Sequence, residues 1–382
     1  MTKHVQKVGI LTFHNSYNCG SMMQAYAMQV YLKKIGVYSE IIDFSNEGQK
    51  NLYSVLFKKI TAKNCIKNGV LFFHARKIAR NYDKYEEFKK RYFILSKEKY
   101  TKLQQLTDKE YVAVIAGSDQ IWNVTIEDGD KAYFLPWIKK ARRIAYAPSF
   151  GAREIFLYAD NPTEYQSYIQ RFDYLSARED NGSRWLKKMV DEEIPVVLDP
   201  TLLLDESDYT SIINTKIEIP KRYIFYYSPG YSGKINKLVK KISKKYKLPV
   251  IAFNAKSFYL HGMNFSSFHL PKIEDPTIYL RLIKEATLVI TTSFHGTVFS
   301  SIFRKNYWTI KNGEMYRDDD RILSLSRRLD LQDRLISAEF YEDFDYMQPK
   351  NYEKYTEKLQ IERNYSINYL TNALKGCYEE GK

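Results

Sequence analysis

The sequence predicts an α/β protein built from two Rossmann-like domains that face each other across a cleft. Three observations point there. Short apolar runs end repeatedly in Gly, Ser, Asp or Pro, the pattern of buried parallel strands with loops at their carboxyl ends. Several of these runs are followed by apolar residues at three-to-four spacing, as crossover helices require. The chain has 382 residues, and typical domains of roughly 150 residues make that two domains and a tail.

Val8 to Phe13 is continuously apolar and ends in the polar turn His14 to Gly20. Met22, Met23, Tyr26, Ala27, Val30 and Tyr31 then recur at helical spacing up to Gly36, and Glu40 to Phe44 returns as a strand, completing a β-α-β unit. Residues 50–108 are Lys-rich and free of Pro, with Phe72, Phe73, Ile78, Tyr82, Tyr85 and Phe88 suited to one or two amphipathic helices. They read as a helical excursion from the sheet. Strands resume at Val112 to Ala116, Ile144 to Ala147, Tyr174 to Ala177 and Val196 to Leu198.

Asp199 to Pro220, with two prolines and several acidic residues, marks a domain junction. Beyond it a second series begins. Tyr223 to Tyr227 and Val250 to Phe253 read as strands flanking a helix at Lys234 to Tyr246. Pro276 to Glu285 carries Pro near a helix start, and Leu288 to Thr291 is a strand running into Ser293-Phe294-His295-Gly296 and a helical run, Val298 to Phe303. Tyr352 to Leu374 is a C-terminal helix. The expected division is 1–205 with its insertion at about 50–108, then 216–340, then a tail at 341–382.

Composition removes whole classes. An aromatic content of 15% excludes a disordered or collagen-like chain. The excess of 59 Lys and Arg over 45 Asp and Glu, a net +14, favours an anionic partner without choosing among nucleic acid, membrane surface and phosphorylated metabolite. Cys19, Cys65 and Cys377 are widely spaced, signalling neither a disulfide framework nor zinc and fitting a reducing cytoplasm. MTKHVQKVGILTF is too short in its apolar run for a signal peptide, and no later run spans a membrane. The expectation is a cytoplasmic protein with at most peripheral membrane contact; the lysine helix at 237–247 reads as a solvated face, with anionic lipid or a lipid-linked diphosphate as the alternative partner. No nucleic acid partner is expected: the lysines are spread along the chain, and no RRM, KH or helix-turn-helix signature occurs.

The chemistry concentrates in loops that follow strands. No GxGxxG is present, and Gly230-Tyr231-Ser232-Gly233-Lys234 misses the phosphate-loop spacing because position 228 is Ser. HExxH and GxSxG are also missing. In TTSFHGTVFSSIF, residues 291–303, the strand-loop-helix pattern puts His295 and the amides of Gly296 and Thr297 at a helix N-terminus, where an anion is favoured. Ser293 and Thr297 add hydroxyls, and His295 moves protons near neutral pH. The bland alternative is a histidine that caps the helix.

Ala116-Gly117-Ser118-Asp119-Gln120 is a second such loop, with Asp119 as a candidate base or a turn-forming side chain. Asn18 and Gly20 occupy the first loop, with Gln24 on the helix behind them. Arg178 follows a strand where it reaches an anion, or else bridges neighbouring elements. Asp318-Asp319-Asp320 reads as a solvated acidic loop rather than a metal signature, so no metal is assigned.

Together, GILTFHNSYNCGSMMQAYAMQ, IAGSDQIWN, AYAPSFG, SAREDNG, VVLDPTLLL and DPTIYLRLIKEATLVITTSFHGTVFSSIF resemble the polysaccharide pyruvyl transferase family, from Val8 to about Ile336. The resemblance implies a GT-B-like frame and a phosphoenolpyruvate-dependent transferase that builds a cyclic pyruvate ketal on a sugar in cell-surface polysaccharide synthesis, such as exopolysaccharide or capsule. Phosphoenolpyruvate is then a co-substrate, and no cofactor is required. The family places His295 beside phosphoenolpyruvate, makes Arg178 an anion ligand and matches Arg321, in DDDRILSL, to a late arginine contact. The loops of Asn18 and Gly20 and of Gly117, Ser118 and Asp119 would face the acceptor: a sugar nucleotide, an oligosaccharide or a lipid-linked saccharide at the inner face of the cytoplasmic membrane. The competing expectation is a GT-B-type glycosyltransferase with a nucleotide-sugar donor.

Overall fold

The computed structural model describes residues 7–311 and 319–377, so Asp318 lies outside the described residues. The first half contains β1 (Lys7–Leu11), α1 (Cys19–Lys34), β2 (Ser39–Phe44), α2 (Glu47–Leu52), α3 (Ala62–Phe72), α4 (Ala75–Tyr92), β3 (Leu95–Tyr100), β4 (Tyr111–Ala116) and β5 (Arg142–Ala145). Helices α5 (Ile155–Tyr158), α6 (Pro162–Ile169), α7 (Asp180–Val190) and α8 (Glu206–Thr210) follow. Its sheet runs β3-β2-β1-β4-β5, parallel throughout.

The second half contains β6 (Ile224–Tyr227), α9 (Gly233–Tyr246), β7 (Val250–Ala252), α10 (Ala255–Leu260), β8 (Phe268–His269), α11 (Pro276–Lys284), β9 (Leu288–Thr291), α12 (Phe294–Ile302), β10 (Tyr307–Ile310), α13 (Arg321–Arg328) and β11 (Leu335–Ile336). This sheet is also parallel, in the order β11-β10-β9-β6-β7-β8. The result is two Rossmann-like units facing across a cleft, GT-B-like in arrangement. The final helix, α14 (Glu353–Leu374), returns to the first unit: its Ser366 Oγ accepts the Leu198 amide, its Tyr369 hydroxyl donates to the Ala145 carbonyl, and Arg142 donates to the carbonyl of Ala373.

Helix α1 shows how the packing arises. Every residue from Cys19 to Gln29 is buried, because α1 lies between its own sheet and helices α11 and α12 of the opposite unit. A helix enclosed on all sides has no polar face to spare. Burying each of Met22, Met23, Met28 and Leu32 stabilises the assembly by about 1.5–3 kcal/mol.

Two sequence expectations need correction. The excursion after β2 ends before residue 108, because Leu95–Tyr100 rejoins the sheet as edge strand β3 beside β2. Its Lys97, Glu98 and Lys99 face solvent, and an edge strand protected by charge hides the apolar alternation that identifies inner strands. Tyr174 to Ala177 and Val196 to Leu198 are not strands but single bridges, Ile144 to Tyr174 and Ala177 to Val196. Side chains take the ladder positions there: Ser176 Oγ bonds both the Ala145 carbonyl and the Ala147 amide, and Ser366 takes the amide of Leu198.

Candidate functional site

In open parallel sheets, ligands gather beyond the carboxyl ends of strands where the winding direction reverses. Here the reversals fall between β1 and β4 in one sheet and between β6 and β9 in the other. The loops after these four strands meet in a single cavity of about 370 Å³, within the usual range of about 300–1,000 Å³ for ligand sites. The first unit supplies Asn18, Ser21, Asp119, Gln120 and Arg178, and the second supplies Gly230, Ser293, Phe294, His295 and Arg321.

Two helix N-termini converge on it. Asn18 caps α1, its side chain accepting the amides of Gly20 (2.9 Å) and Ser21 (3.4 Å). Ser293 caps α12 through the amide of Gly296 (3.3 Å). Each end carries a partial positive charge, so the cleft favours an anion even before its arginines are counted.

A buried carboxylate organises the floor. Asp199, 1% exposed, accepts Ser118 Oγ (2.7 Å) and Arg178 Nη1 (3.1 Å) at Oδ2, and the Thr201 amide and hydroxyl at Oδ1. His295 Nε2 stands 3.4 Å from the same Oδ2, sealed from solvent and without a hydrogen bond. Burial alone would raise the Asp199 carboxyl, but His295 and Arg178 beside it outweigh burial and hold it well below the ordinary carboxylate range. The opposite edge of His295 borders Gly20, where a Cβ would lie 2.2 Å from Nδ1.

Arg178 is pinned on a second side by the Phe294 ring, 4.4 Å from its guanidinium carbon. Its Nε has no hydrogen-bond partner, and the neighbouring Glu179 Oε2, 3.6 Å away, has none either. Burial pushes the Glu179 carboxyl up to about 7. Arg321 is held by Asp319 through Nε (2.8 Å) and Nη2 (2.6 Å), a planar fork on a carboxylate. The reading of a solvated acidic loop therefore fails for Asp319, which is 7% exposed and serves as the counter-charge of Arg321. Asp320, partly buried, accepts the Asn181 amide.

Asp119 has φ of +77°, a left-handed conformation that Asp tolerates better than most residues. Its Oδ2 accepts Ser21 Oγ at 2.5 Å and its Oδ1 the Gln120 amide at 2.8 Å. Both carboxylate oxygens are thus hydrogen-bonded within the first unit.

Of the residues singled out by sequence, the cavity wall contains Asn18, Asp119, Arg178, Ser293, His295 and Arg321. The others stand behind it. Gln24 Nε2 braces the first loop through Thr12 Oγ1 and the carbonyls of Phe13 and Ser21. Ser118 supports Asp199, Gly117 packs on Thr12, Gly20 on His295 and Gly296 on Thr291, while Thr297 bonds the Ser293 carbonyl and Thr309. Among the described residues no cluster of His, Cys, Asp and Glu is placed to hold a metal.

Sequence reasoning missed Asp199, Asp319 and Ser21. Asp199 follows a short apolar run, the same signal that identified Arg178 and Asp119. Behind the cap residue Asn18, Tyr17 packs on Tyr53 and Tyr82 with ring centroids at 6.0 and 4.2 Å. The carboxylates of Asp128 and Asp119 act on the Tyr53 phenol, whose pKa burial raises first.

A family model described as polysaccharide pyruvyl transferase matches residues 18–314. No curated protein matches the chain. Among solved structures, the UDP-GlcNAc 2-epimerase from Methanocaldococcus jannaschii is 13% identical over 94% of this chain and 93% of its own, with a TM-score of 0.45. The Neisseria meningitidis UDP-GlcNAc 2-epimerase bound to UDP-GlcNAc is 9% identical over 96% and 100%, at 0.45. The E. coli heptosyltransferase WaaC with ADP-2-deoxy-2-fluoro heptose is 12% identical over 81% and 89%, at 0.36. Likeness of this degree argues for no activity and no ligand.

Proposed function

The chain belongs to the polysaccharide pyruvyl transferase family, and on that premise we propose that it transfers the pyruvyl group of phosphoenolpyruvate to two hydroxyls of one acceptor sugar. The observation that carries this reading is the convergence of Arg178, Arg321 and two helix N-termini on His295 in one cavity. Phosphoenolpyruvate bears a phosphate and a carboxylate, and two separately anchored guanidiniums match two anionic groups.

The reaction balances without a further cofactor. Protonation of the methylene carbon makes a methyl group and an electrophilic carbon. The first sugar hydroxyl adds there and loses its proton, the bond to the phosphate oxygen breaks, and the second hydroxyl closes the ketal. One proton has entered the methyl group, and the other leaves with inorganic phosphate.

In this scheme His295 donates the proton to carbon or assists phosphate departure, with Asp199 beside its Nε2. Arg178 and Arg321 bind the anionic groups, and the arginine-bound carboxylates Asp199 and Asp319 keep both guanidiniums in place. Asp119 accepts an acceptor hydroxyl. The acceptor classes that fit are a sugar nucleotide, an oligosaccharide and a lipid-linked saccharide.

The test is thermal stabilisation by phosphoenolpyruvate compared with UDP-sugars, CMP-sugars and inorganic phosphate, on the wild type and on His295→Ala and Arg321→Ala. Stabilisation by phosphoenolpyruvate that weakens in Arg321→Ala, with turnover lost in His295→Ala, is expected. A response to sugar nucleotides alone would falsify the reading in favour of glycosyl transfer.

A further inference from the structure

We propose that α3 and the segment leading into it dock on an anionic lipid surface. Helix α3 carries an apolar stripe that points away from the protein. Ala62, Ile66, Gly69, Val70 and Phe73 recur at helical spacing on one side, with Ile66 74%, Val70 43% and Phe73 84% exposed. Phe72 (69%) and Ile60 (91%) extend the patch, and a Cβ on Gly69 would meet nothing within 4 Å. The opposite side of the helix is the one that packs inward: Leu71 is fully buried in a small cluster with Ile78 and Ala255. An amphipathic helix that buries one leucine and offers its larger side chains to water is inverted relative to a surface helix of a self-contained protein.

Charge selects the occupant. Between Glu47 and Asp83 the chain contains no acidic residue and eight basic ones: Lys50, Lys58, Lys59, Lys63, Lys67, Arg76, Lys77 and Arg80. Of these, Lys58, Lys59 and Lys63 are exposed beside the apolar stripe. Apolar side chains flanked by lysines on one helical face satisfy both requirements of interfacial binding, since the rings enter the acyl boundary while the ammonium groups stay among phosphates. A single chain of lysines does not. Helix α9, the basic face expected from sequence, keeps Ile235, Leu238, Val239 and Ile242 buried and presents charge alone.

The position also has a consequence for the cleft. Helix α4 continues directly from α3 and carries Tyr82, which packs against Tyr17 beside Asn18. A membrane at α3 therefore lies on the side of the molecule from which the insertion reaches the site.

Co-sedimentation of the full chain with phosphatidylcholine vesicles, with and without phosphatidylglycerol, tests this directly and needs no enzymatic activity. Binding only to the phosphatidylglycerol vesicles, weakening with salt, is expected. Lys58→Gln, Lys59→Gln and Lys63→Gln each reduce affinity about fivefold, Ile66→Ser with Phe73→Ser abolishes binding, and Lys237→Gln with Lys240→Gln and Lys244→Gln leaves it unchanged. These side chains are exposed, so the variants keep the wild-type melting temperature. Cys65 is exposed on α3 whereas Cys19 and Cys377 are buried, so an environment-sensitive fluorophore placed on Cys65 shifts to the blue on vesicle addition. Absence of binding, binding insensitive to the α3 variants, or loss in the α9 variant equal to that in the α3 variants overturns the proposal. So does a wild-type dimer in solution that Phe73→Ser dissolves, since a second copy would then cover the face.

Discussion

Gly20 presses against the imidazole of His295. A methyl group on Gly20 would stand 2.2 Å from Nδ1 and 2.6 Å from Cγ, although the two residues belong to helices of opposite units. Contact this close makes the ring position of His295 depend on how the units meet.

Gly20→Ala is therefore expected to act on catalysis. Within a helix, replacing Gly by Ala ordinarily stabilises by roughly 0.5–1 kcal/mol. Here the methyl displaces the ring or parts the units, so turnover falls at least about tenfold, equivalent to roughly 1.4 kcal/mol, while circular dichroism stays native. Steady-state rates at wild-type level would remove His295 from the chemistry or the contact from the protein.

Asp199 holds Arg178 and His295 together from beneath. Its folded pKa is depressed, so its contribution is fully present above the unfolded value of about 4 and is lost as pH falls through the folded one. Asp199→Ala leaves Arg178 without its main partner and costs about 3–5 kcal/mol. Denaturant unfolding from neutral pH into acid should show a steeper loss for the wild type than for Asp199→Asn.

Arg321→Gln tests one of the two anion contacts proposed for phosphoenolpyruvate. With Asp319 still buried but its cation gone, the KM for phosphoenolpyruvate should rise at least about tenfold, since a charged hydrogen bond is worth roughly 1.5–3 kcal/mol. The KM for the acceptor should stay near wild type. Equal rises in both would mean that Arg321 supports the cleft as a whole.

Glu274 links the units through Asn81, which donates to Oε2 at 2.8 Å, and burial raises its carboxyl to about 7. From about pH 4.5 to 7 the unfolded chain is ionised here while the folded one keeps its proton, so stability falls as pH rises across that window. Glu274→Gln, which retains an acceptor for Asn81, should be more stable than wild type by up to about 3 kcal/mol above pH 7. Thermal melts of the pair at pH 5 and pH 8 give the comparison, and a constant difference would contradict it.

Both Rossmann-like units were legible from strands such as Val112 to Ala116 and Leu288 to Thr291, because buried parallel strands must be apolar along their whole length. Residues at strand ends could be picked out by the same rule, which is how Asp119, Arg178 and His295 emerged together. Edge strand β3 escaped because its exposed lysines carry no core pattern, and β8 and β11 are two residues each, too short for any periodicity. Gln24, Ser118 and Thr297, expected from the sequence to bind substrate, stand behind the cavity wall and brace it. Whether a polar side chain faces the cavity or braces its wall depends on rotamers and neighbours that spacing does not encode.

By itself the sequence determined the α/β class, the strand-loop-helix carriers of the site and the family resemblance, since these rest on local periodicity and contiguous motifs. Tertiary structure alone decided that Asp199 pairs with both Arg178 and His295, that Asp319 neutralises Arg321 instead of facing water, and that the apolar side of α3 looks outward. Such facts depend on which groups meet after distant segments pack. A charge's role is fixed by the dielectric and the partners it finds there, not by its place in the chain.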